Sequence, residues 1–108
     1  MSESQYTRIV LHNSYTTSYH SEQETSEFCR LEVQVIRQLR DAGVIQGVEV
    51  AGEGQRYSDE ELALLRRARR LHHDLGINIE GVEVILRLYA QLEALQRELE
   101  QYRREKGV

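Results

Sequence analysis

Hydrophobic side chains recur at alternating steps of three and four residues along the last quarter of the chain, from Gly81 to Val108. These side chains are Ile85, Leu88, Leu92, Leu95, Leu99 and Tyr102. The spacing is that of a heptad seam, and it predicts one long helix from about residue 80 to 105. Because the stripe is narrow and the chain is short, we expect the seam to pack on the same helix of a second copy. The alternative is that the helix folds back on its own domain, as we expect of its first two turns.

Two short amphipathic segments in the first half of the chain predict a helix-turn-helix. Ser21 and Glu24 form a capping-box signature for a helix over 22–29, and a second helix over 33–42 ends at Gly43. The side chains expected to face inward from the first helix are Thr25, Phe28 and Cys29. Each segment is too short to be stable alone, so we expect the pair to pack on the rest of the domain.

A β-hairpin is predicted directly after these helices. Val48 and Val50 alternate with Glu49, and a turn with two glycines follows over 51–54. A hairpin in this position, after a helix-turn-helix, is a wing.

The strongest local signal is a second capping box, in which Ser58 is followed three residues later by Glu61. It predicts a helix over 58–75, which Gly76 ends. Asn78 is then placed to cap the long final helix.

The first 21 residues predict a short strand and a polar connection. Residues 6–12 contain two adjacent β-branched side chains, Ile9 and Val10, which favour a strand. Residues 13–21 are rich in serine, threonine and tyrosine and predict a connection without regular structure. We expect His12 and His20 to be solvated surface side chains.

Length, charge and cysteine content limit the classes of protein. The 108 residues fit one domain, which we divide into a strand plus winged helix-turn-helix over 1–79 and a coiled-coil dimerisation helix over 80–108. A single cysteine, no long apolar run and no basic segment before an apolar one predict a cytoplasmic protein without a membrane span or signal peptide. Residues 1–55 hold four basic and eight acidic side chains, and residues 56–108 hold ten of each, so the net charge of −4 lies in the first half.

The chain has no pattern typical of an enzyme. There is no glycine-rich phosphate loop, no Ser/His/Asp order and no Cys/His ligand spacing. His72 and His73 are adjacent and would point about 100° apart on a helix, so they cannot bind one metal together. Cys29 is expected to be a small core residue. We therefore expect no catalytic residue, no cofactor and no metal site.

Taken together, these elements resemble the MerR-like DNA-binding domain. The segment Arg56-Tyr57-Ser58 is similar to that family's wing exit, and residues 74–82 resemble the LGINLAGV segment shared by the chaperone modulator CbpM and heat-shock repressor HspR branches. The resemblance covers roughly residues 20–100. It implies a mainly α fold with a small β component, in which a MerR-like winged helix-turn-helix precedes a long C-terminal dimerisation helix.

The acidic first half favours the CbpM branch. Arg30 stands where the HspR branch has glycine, the wing holds Glu49 and Glu53 against Arg56, and DNA affinity depends on neutralising phosphates. The resemblance implies a cytoplasmic chaperone modulator of the stress response that binds the J-domain of a DnaJ-like co-chaperone of the CbpA type and inhibits it. From charge complementarity and expected exposure, the predicted contact residues are Glu22, Glu24, Glu27 and Glu32, with Leu31 as an exposed apolar anchor.

The alternative is an HspR-like transcriptional repressor that binds DNA as a dimer. In that case nucleic acid would be the main binding partner. Under the CbpM interpretation it is at most a weakly bound partner. The expected DNA contacts are then Arg37, Arg40, Arg56 and Arg66.

Overall fold

The computed structural model describes residues 18–107, which form four helices and a three-stranded sheet. In chain order the elements are β1 (Tyr19–Ser21), α1 (Glu22–Cys29), α2 (Val33–Asp41), β2 (Val48–Val50), β3 (Gly54–Ser58), α3 (Asp59–Arg69), a π-helical turn (Arg70–Asp74) and α4 (Ile79–Lys106). The mainly helical winged helix-turn-helix and the long last helix are confirmed. The strand predicted over 6–12, with His12, lies outside the described residues.

The sheet is antiparallel throughout, with strand order β1-β3-β2. The prediction of an irregular connection over 13–21 is wrong at its end, because residues 19–21 pair with residues 56–58 of β3. His20 is also less solvated than expected. Its Nε2 lies 2.7 Å from Oδ1 of Asp59, and its ring meets Phe28 edge-on. This strand depends on partners far along the chain, which a local pattern does not reveal.

Helix α1 begins at the predicted capping box. The Ser21 hydroxyl accepts a hydrogen bond from the Glu24 backbone N–H at 3.1 Å, and the Glu24 carboxylate accepts one from the Ser21 N–H at 3.0 Å. Thr25 and Cys29 are buried as expected. The inward orientation predicted for Phe28 is wrong, since 56% of that side chain is exposed. Thr25 and Cys29 are one turn apart and define the buried face, whereas Phe28 lies about 100° around the helix from Cys29.

The core lies beneath the helix-turn-helix and is closed by α3 and the start of α4. Tyr57, Ile36, Leu39 and Leu65 are fully buried in it. The predicted return of the first two turns of the last helix is confirmed, because Val82 and Leu86 belong to the same buried cluster. Each such side chain contributes about 1.5–3 kcal/mol when fully buried. The packing therefore fixes where α4 leaves the domain.

Helix α3 does not continue as α-helix to residue 75 as predicted. From Arg70 the chain widens into a π-helical turn, in which the Leu75 N–H bonds to the carbonyl of Arg70 at 3.1 Å. The His72 Nδ1 lies 2.7 Å from the carbonyl oxygen of Ile77 and ties this turn to the corner before α4. Gly76 then reverses the chain with a φ of +72°.

The last helix begins where the sequence predicts. The Asn78 side chain caps it by accepting a hydrogen bond from the Gly81 N–H at 2.8 Å. The predicted seam is exposed along its length, from 37% at Ile85 to 61% at Leu95. Within residues 18–107, no helix combines the length and the apolar character that a bilayer crossing requires.

Candidate nucleic-acid interface

Helix α2 is the second helix of the helix-turn-helix, and its two faces differ sharply. Val35, Ile36 and Leu39 are buried and anchor one face in the core. The opposite face exposes side chains at steps of three and four, namely Gln34, Arg37, Gln38 and Asp41. Amide and guanidinium groups can make paired hydrogen bonds to base edges in the major groove. The exposed face therefore has the chemistry needed to read DNA.

The turn before α2 requires a left-handed residue, and Arg30 occupies it with a φ of +58°. Glycine adopts this conformation without steric penalty, whereas an L-residue does so at a cost of roughly 1–2 kcal/mol. The departure from glycine noted in the sequence therefore leaves the turn intact. It places a basic side chain at the junction of α1 and α2, in addition to Arg37 and Arg40 within α2.

Glu22, in the first turn of α1, joins the two arginines of α2 to the wing. Its Oε1 accepts hydrogen bonds from Nε and Nη2 of Arg37, at 3.1 and 2.9 Å. Its Oε2 accepts from Nη1 of Arg40 at 3.1 Å and from the Tyr57 hydroxyl at 3.2 Å. Arg40 Nη1 also donates to the Tyr57 oxygen at 2.7 Å. We call these four residues the Glu22 cluster.

The electrostatics of the Glu22 cluster follow from these bonds. The hydrogen bond from Arg37, with the charges of both arginines, holds the pKa of the Glu22 carboxyl below its usual value. Burial raises the pKa of the Tyr57 hydroxyl, so this phenol stays protonated and donates. The cluster therefore carries two positive charges and one negative charge near neutral pH.

The wing follows α2 and is held against α3 by a single carboxylate. Glu61 Oε1 accepts from the Ser58 N–H at 3.1 Å, as the capping box predicts, while Oε2 accepts from the N–H groups of Gln46 and Gly47, both at 3.0 Å. Gly47 is required there because a Cβ would lie 2.7 Å from the Gln55 side chain and 2.9 Å from the Tyr57 ring. The sequence revealed the cap but not this second role.

In the wing, Arg56 pairs with Glu53, whereas Glu49 is bonded only to a neutral amide. Arg56 Nη2 lies 3.1 Å from Oε1 of Glu53, and Gln55 donates to Glu49 at 2.9 Å. Arg56 is mostly buried along its length, with 28% of the side chain exposed. Of the four arginines predicted to contact DNA, Arg56 thus lies in the wing and Arg37 and Arg40 in α2.

The fourth, Arg66, lies on α3 and is exposed. Two nearby arginines of the same helix have partners: Arg67 lies 4.2 Å above the Tyr89 ring, and Arg69 pairs with Asp74 at 3.5 Å. An open groove of about 510 Å³ between α3 and α4 is lined by three aliphatic residues and by Glu60, Arg67, Tyr89, Glu93 and Arg97. This groove lies apart from the exposed face of α2.

Cys29 is buried in the core, and the described histidines, His20, His72 and His73, contact neighbouring protein groups. The Cys29 thiol donates to the carbonyl of Leu62 at 3.6 Å, and burial raises its pKa, so it behaves as a core side chain. Among the residues that the structure describes, no three His, Cys, Asp or Glu side chains are grouped so as to hold a metal ion.

Comparison with known proteins agrees with this architecture. Residues 21–104 match the family model described as MerR HTH family regulatory protein. The chain belongs to the MerR helix-turn-helix family. One similar protein is the "Putative heat shock protein HspR" of Streptomyces coelicolor, which is 38% identical over 66 residues. The match covers 61% of this chain and 44% of that relative, so it spans less than half of the relative's length.

Within this MerR-family domain, the acidic surface predicted to bind a J-domain is only partly exposed. The expectation that Leu31 is an exposed anchor is wrong, because it is 2% exposed and belongs to the core. Glu22 is also largely enclosed, with 19% of its side chain exposed, since it binds the arginines of α2. Glu24, Glu27 and Glu32 remain on the surface. The resemblance to the CbpM branch in particular stays a prediction.

Proposed function

We propose that this chain is a transcriptional regulator of the HspR type, which binds DNA as a dimer and acts as a repressor. The observation that carries the proposal is the exposed face of α2, where Gln34, Arg37 and Gln38 stand side by side next to a wing. The similarity to an HspR protein supports the same conclusion. The helix enters the major groove and reads base edges, while Arg40, Arg56 and Arg66 contact the backbone.

The exposed seam of α4 supports the dimer. Its six side chains are between 37% and 61% exposed in the single chain. A dimer would cover two copies of these six side chains, each about half exposed beforehand, so their burial would contribute about 9–18 kcal/mol as an upper bound. This is comparable with the roughly 4–15 kcal/mol that association costs. A two-fold dimer presents two copies of α2 to two half-sites, so the bound DNA is expected to be a palindrome or an inverted repeat.

The test is a selection of bound duplexes from random and genomic DNA, followed by fluorescence anisotropy on the selected site. Replacing Gln38 with Ala removes one base-reading amide and should weaken binding to that site by about 5–150-fold. Gln23→Ala is the matched control, because Gln23 is an exposed amide on α1 rather than on the reading face. If no sequence is enriched, or if both variants bind as wild type does, the proposal is wrong.

A second candidate function is binding of the J-domain of a CbpA-type co-chaperone. It is favoured by one observation, the excess of four negative charges in residues 1–55, with Glu27 and Glu32 exposed on the helix-turn-helix. An acidic face of this kind complements a basic helix and would bind it in a salt-dependent manner.

These two functions are separated by titrating a labelled J-domain, taken from the DnaJ-like protein of the same cell, at two salt concentrations. Tight binding that weakens with salt, and that is lost when Glu27 and Glu32 are changed to Lys, would support the second candidate. A folded dimer that does not bind the J-domain would exclude it. The DNA selection is carried out on the same preparation of the wild-type chain.

A further inference from the structure

We infer that Glu22 is a specificity residue for the bound DNA: it positions Arg37 and Arg40 and limits their attraction for DNA of arbitrary sequence. This inference rests on the proposed DNA binding and deepens it. Nothing in the helix-turn-helix pattern requires a carboxylate at the start of α1, since the cap itself is formed by Ser21 and Glu24. Glu22 instead reaches across to α2 and β3.

Glu22 orients the Arg37 side chain without covering it. Arg37 is held by Glu22 and is nevertheless 58% exposed, on the same face as Gln34 and Gln38. The two bonds to Glu22 use Nε–H and one N–H of Nη2, which leaves three of the five guanidinium donors for a phosphate or a base. The side chain is therefore oriented before DNA arrives, and less conformational entropy is lost on binding.

Glu22 also reduces the positive charge that Arg37 and Arg40 present to DNA. Affinity for arbitrary DNA comes from the phosphates that a protein neutralises, whereas base contacts distinguish one sequence from another. By pairing with both arginines, Glu22 lowers the net charge of the Glu22 cluster from +2 to +1. Glu22 therefore lowers the affinity for arbitrary DNA, while the fixed direction of Arg37 preserves the affinity for the correct site. Specificity is the difference between the binding free energies at the correct site and at arbitrary DNA, and Glu22 increases this difference.

The Glu22 carboxylate is largely enclosed. Only 19% of the Glu22 side chain is exposed, and its second oxygen contacts both Arg40 and the buried Tyr57. A phosphate therefore cannot readily displace Glu22 from Arg40, which contacts the DNA backbone only through its exposed part. The two arginines accordingly differ in role: Arg40 contacts the backbone from a fixed position, and Arg37 is presented to the base edges.

The test compares Glu22→Gln with Glu27→Gln. Both variants remove one negative charge from α1, but Glu27 is exposed and accepts a hydrogen bond from Gln23 rather than from an arginine. For Glu22→Gln, affinity for a scrambled duplex should rise about fivefold, as expected for one unit charge near a phosphate, and the ratio of selected to scrambled affinity should fall. The dependence of log K on log salt should steepen by about one per protomer.

The control variant is expected to leave the affinity ratio within about twofold of wild type, because a distant surface charge is screened. If both variants lower the ratio equally, or if Glu22→Gln leaves it unchanged, the inference is overturned.

One readout does not involve DNA and so separates this inference from the proposed function. In nitrogen-detected NMR of the free protein, the Arg37 Nε–H signal should be protected from exchange with water, and Glu22→Gln should remove that protection. If the signal is protected but no DNA is selected, the proposed function fails and the positioning role remains. If DNA is bound but the signal is unprotected in wild type, the inference fails and the function remains.

Discussion

Replacement of Glu61 by Ala is expected to loosen the wing and lower the free energy of unfolding. The Glu61 carboxylate accepts three backbone hydrogen bonds, one from the start of its own helix and two from the loop at Gln46 and Gly47. No other described side chain accepts from both of these loop N–H groups, so the substitution acts on the cap and on the approach to the wing together.

The expected magnitude follows from the exposure of each bond. The bond to Gln46 is exposed, and water can replace it with little loss. The bonds to Gly47 and Ser58 are partly buried, and each contributes about 1–1.5 kcal/mol. The expected loss for Glu61→Ala is therefore about 2–3 kcal/mol. Glu60→Ala, one residue earlier in the same helical turn, should lose only the interaction with the helix dipole, about 0.3–1 kcal/mol.

Urea unfolding followed by circular dichroism at 222 nm measures both variants, at one protomer concentration because association changes apparent stability. The midpoint should fall while the slope stays constant. A loss below about 1 kcal/mol for Glu61→Ala, or a loss equal to that of Glu60→Ala, would refute the argument that one carboxylate joins the loop to the helix.

Three further predictions concern the turn, the seam and acid stability. Arg30→Gly should raise the free energy of unfolding by about 0.5–1 kcal/mol, because glycine adopts the φ of +58° without a steric penalty, and this gain exceeds its larger loss of entropy on folding. Thermal unfolding measures the change, and a lower stability of the variant would contradict the prediction. Leu95→Lys should give a monomer by light scattering, whereas Gln101→Lys, on the other side of α4, should leave the dimer intact. If both variants remained dimers, the seam would not be the dimer interface. The pKa of Glu22 is lowered on folding from 4.5, so its contribution is complete above that pH and is lost as pH falls below it. The stability difference between wild type and Glu22→Gln should therefore shrink as the pH falls below 4.5 in urea titrations, and a constant difference would contradict this prediction.

The elements that the sequence predicted correctly are those encoded by short-range contacts. Ser58 with Glu61 and Asn78 with Gly81 are each three residues apart, and both caps appear as predicted. The periodicity of the last helix likewise placed its limits within one residue of Ile79–Lys106. In these cases the physical cause, a hydrogen bond or an apolar stripe on one helix, is contained within a few turns.

The features that sequence reasoning missed depend on contacts between distant residues. The Glu22 cluster joins positions 15, 18 and 35 residues apart, and His20 meets Asp59 across 39 residues. No local signal announces such pairs. The error at Phe28 has another origin: a helix of two turns offers several faces of similar hydrophobicity, and only its packing against β3 and α3 selects one.

Net charge summed along the sequence does not describe the local surface, because the field at a surface depends on where charges lie and on what they pair with. In the first half, Glu22 pairs with Arg37 and Arg40, Glu53 pairs with Arg56, and Glu24 caps its own helix. On the exposed face of α2, the positive charge of Arg37 is offset by the negative charge of Asp41. An acidic half of the chain is thus compatible with a DNA-reading face that is close to neutral.

A near-neutral reading face leads to a weak salt dependence for the proposed DNA binding. If the phosphates are contacted mainly by Arg40, Arg56 and Arg66, a dimer neutralises about six of them, and log K should fall against log salt with a slope of about −5. Anisotropy titrations of the selected site between 50 and 200 mM salt, a range where this slope weakens binding by about 10³-fold, would measure it. A slope near −10 would mean that further basic side chains contact the DNA, and the assignment to these three arginines would be wrong. A slope near zero would mean that phosphates are not contacted, which would contradict DNA binding by this face altogether.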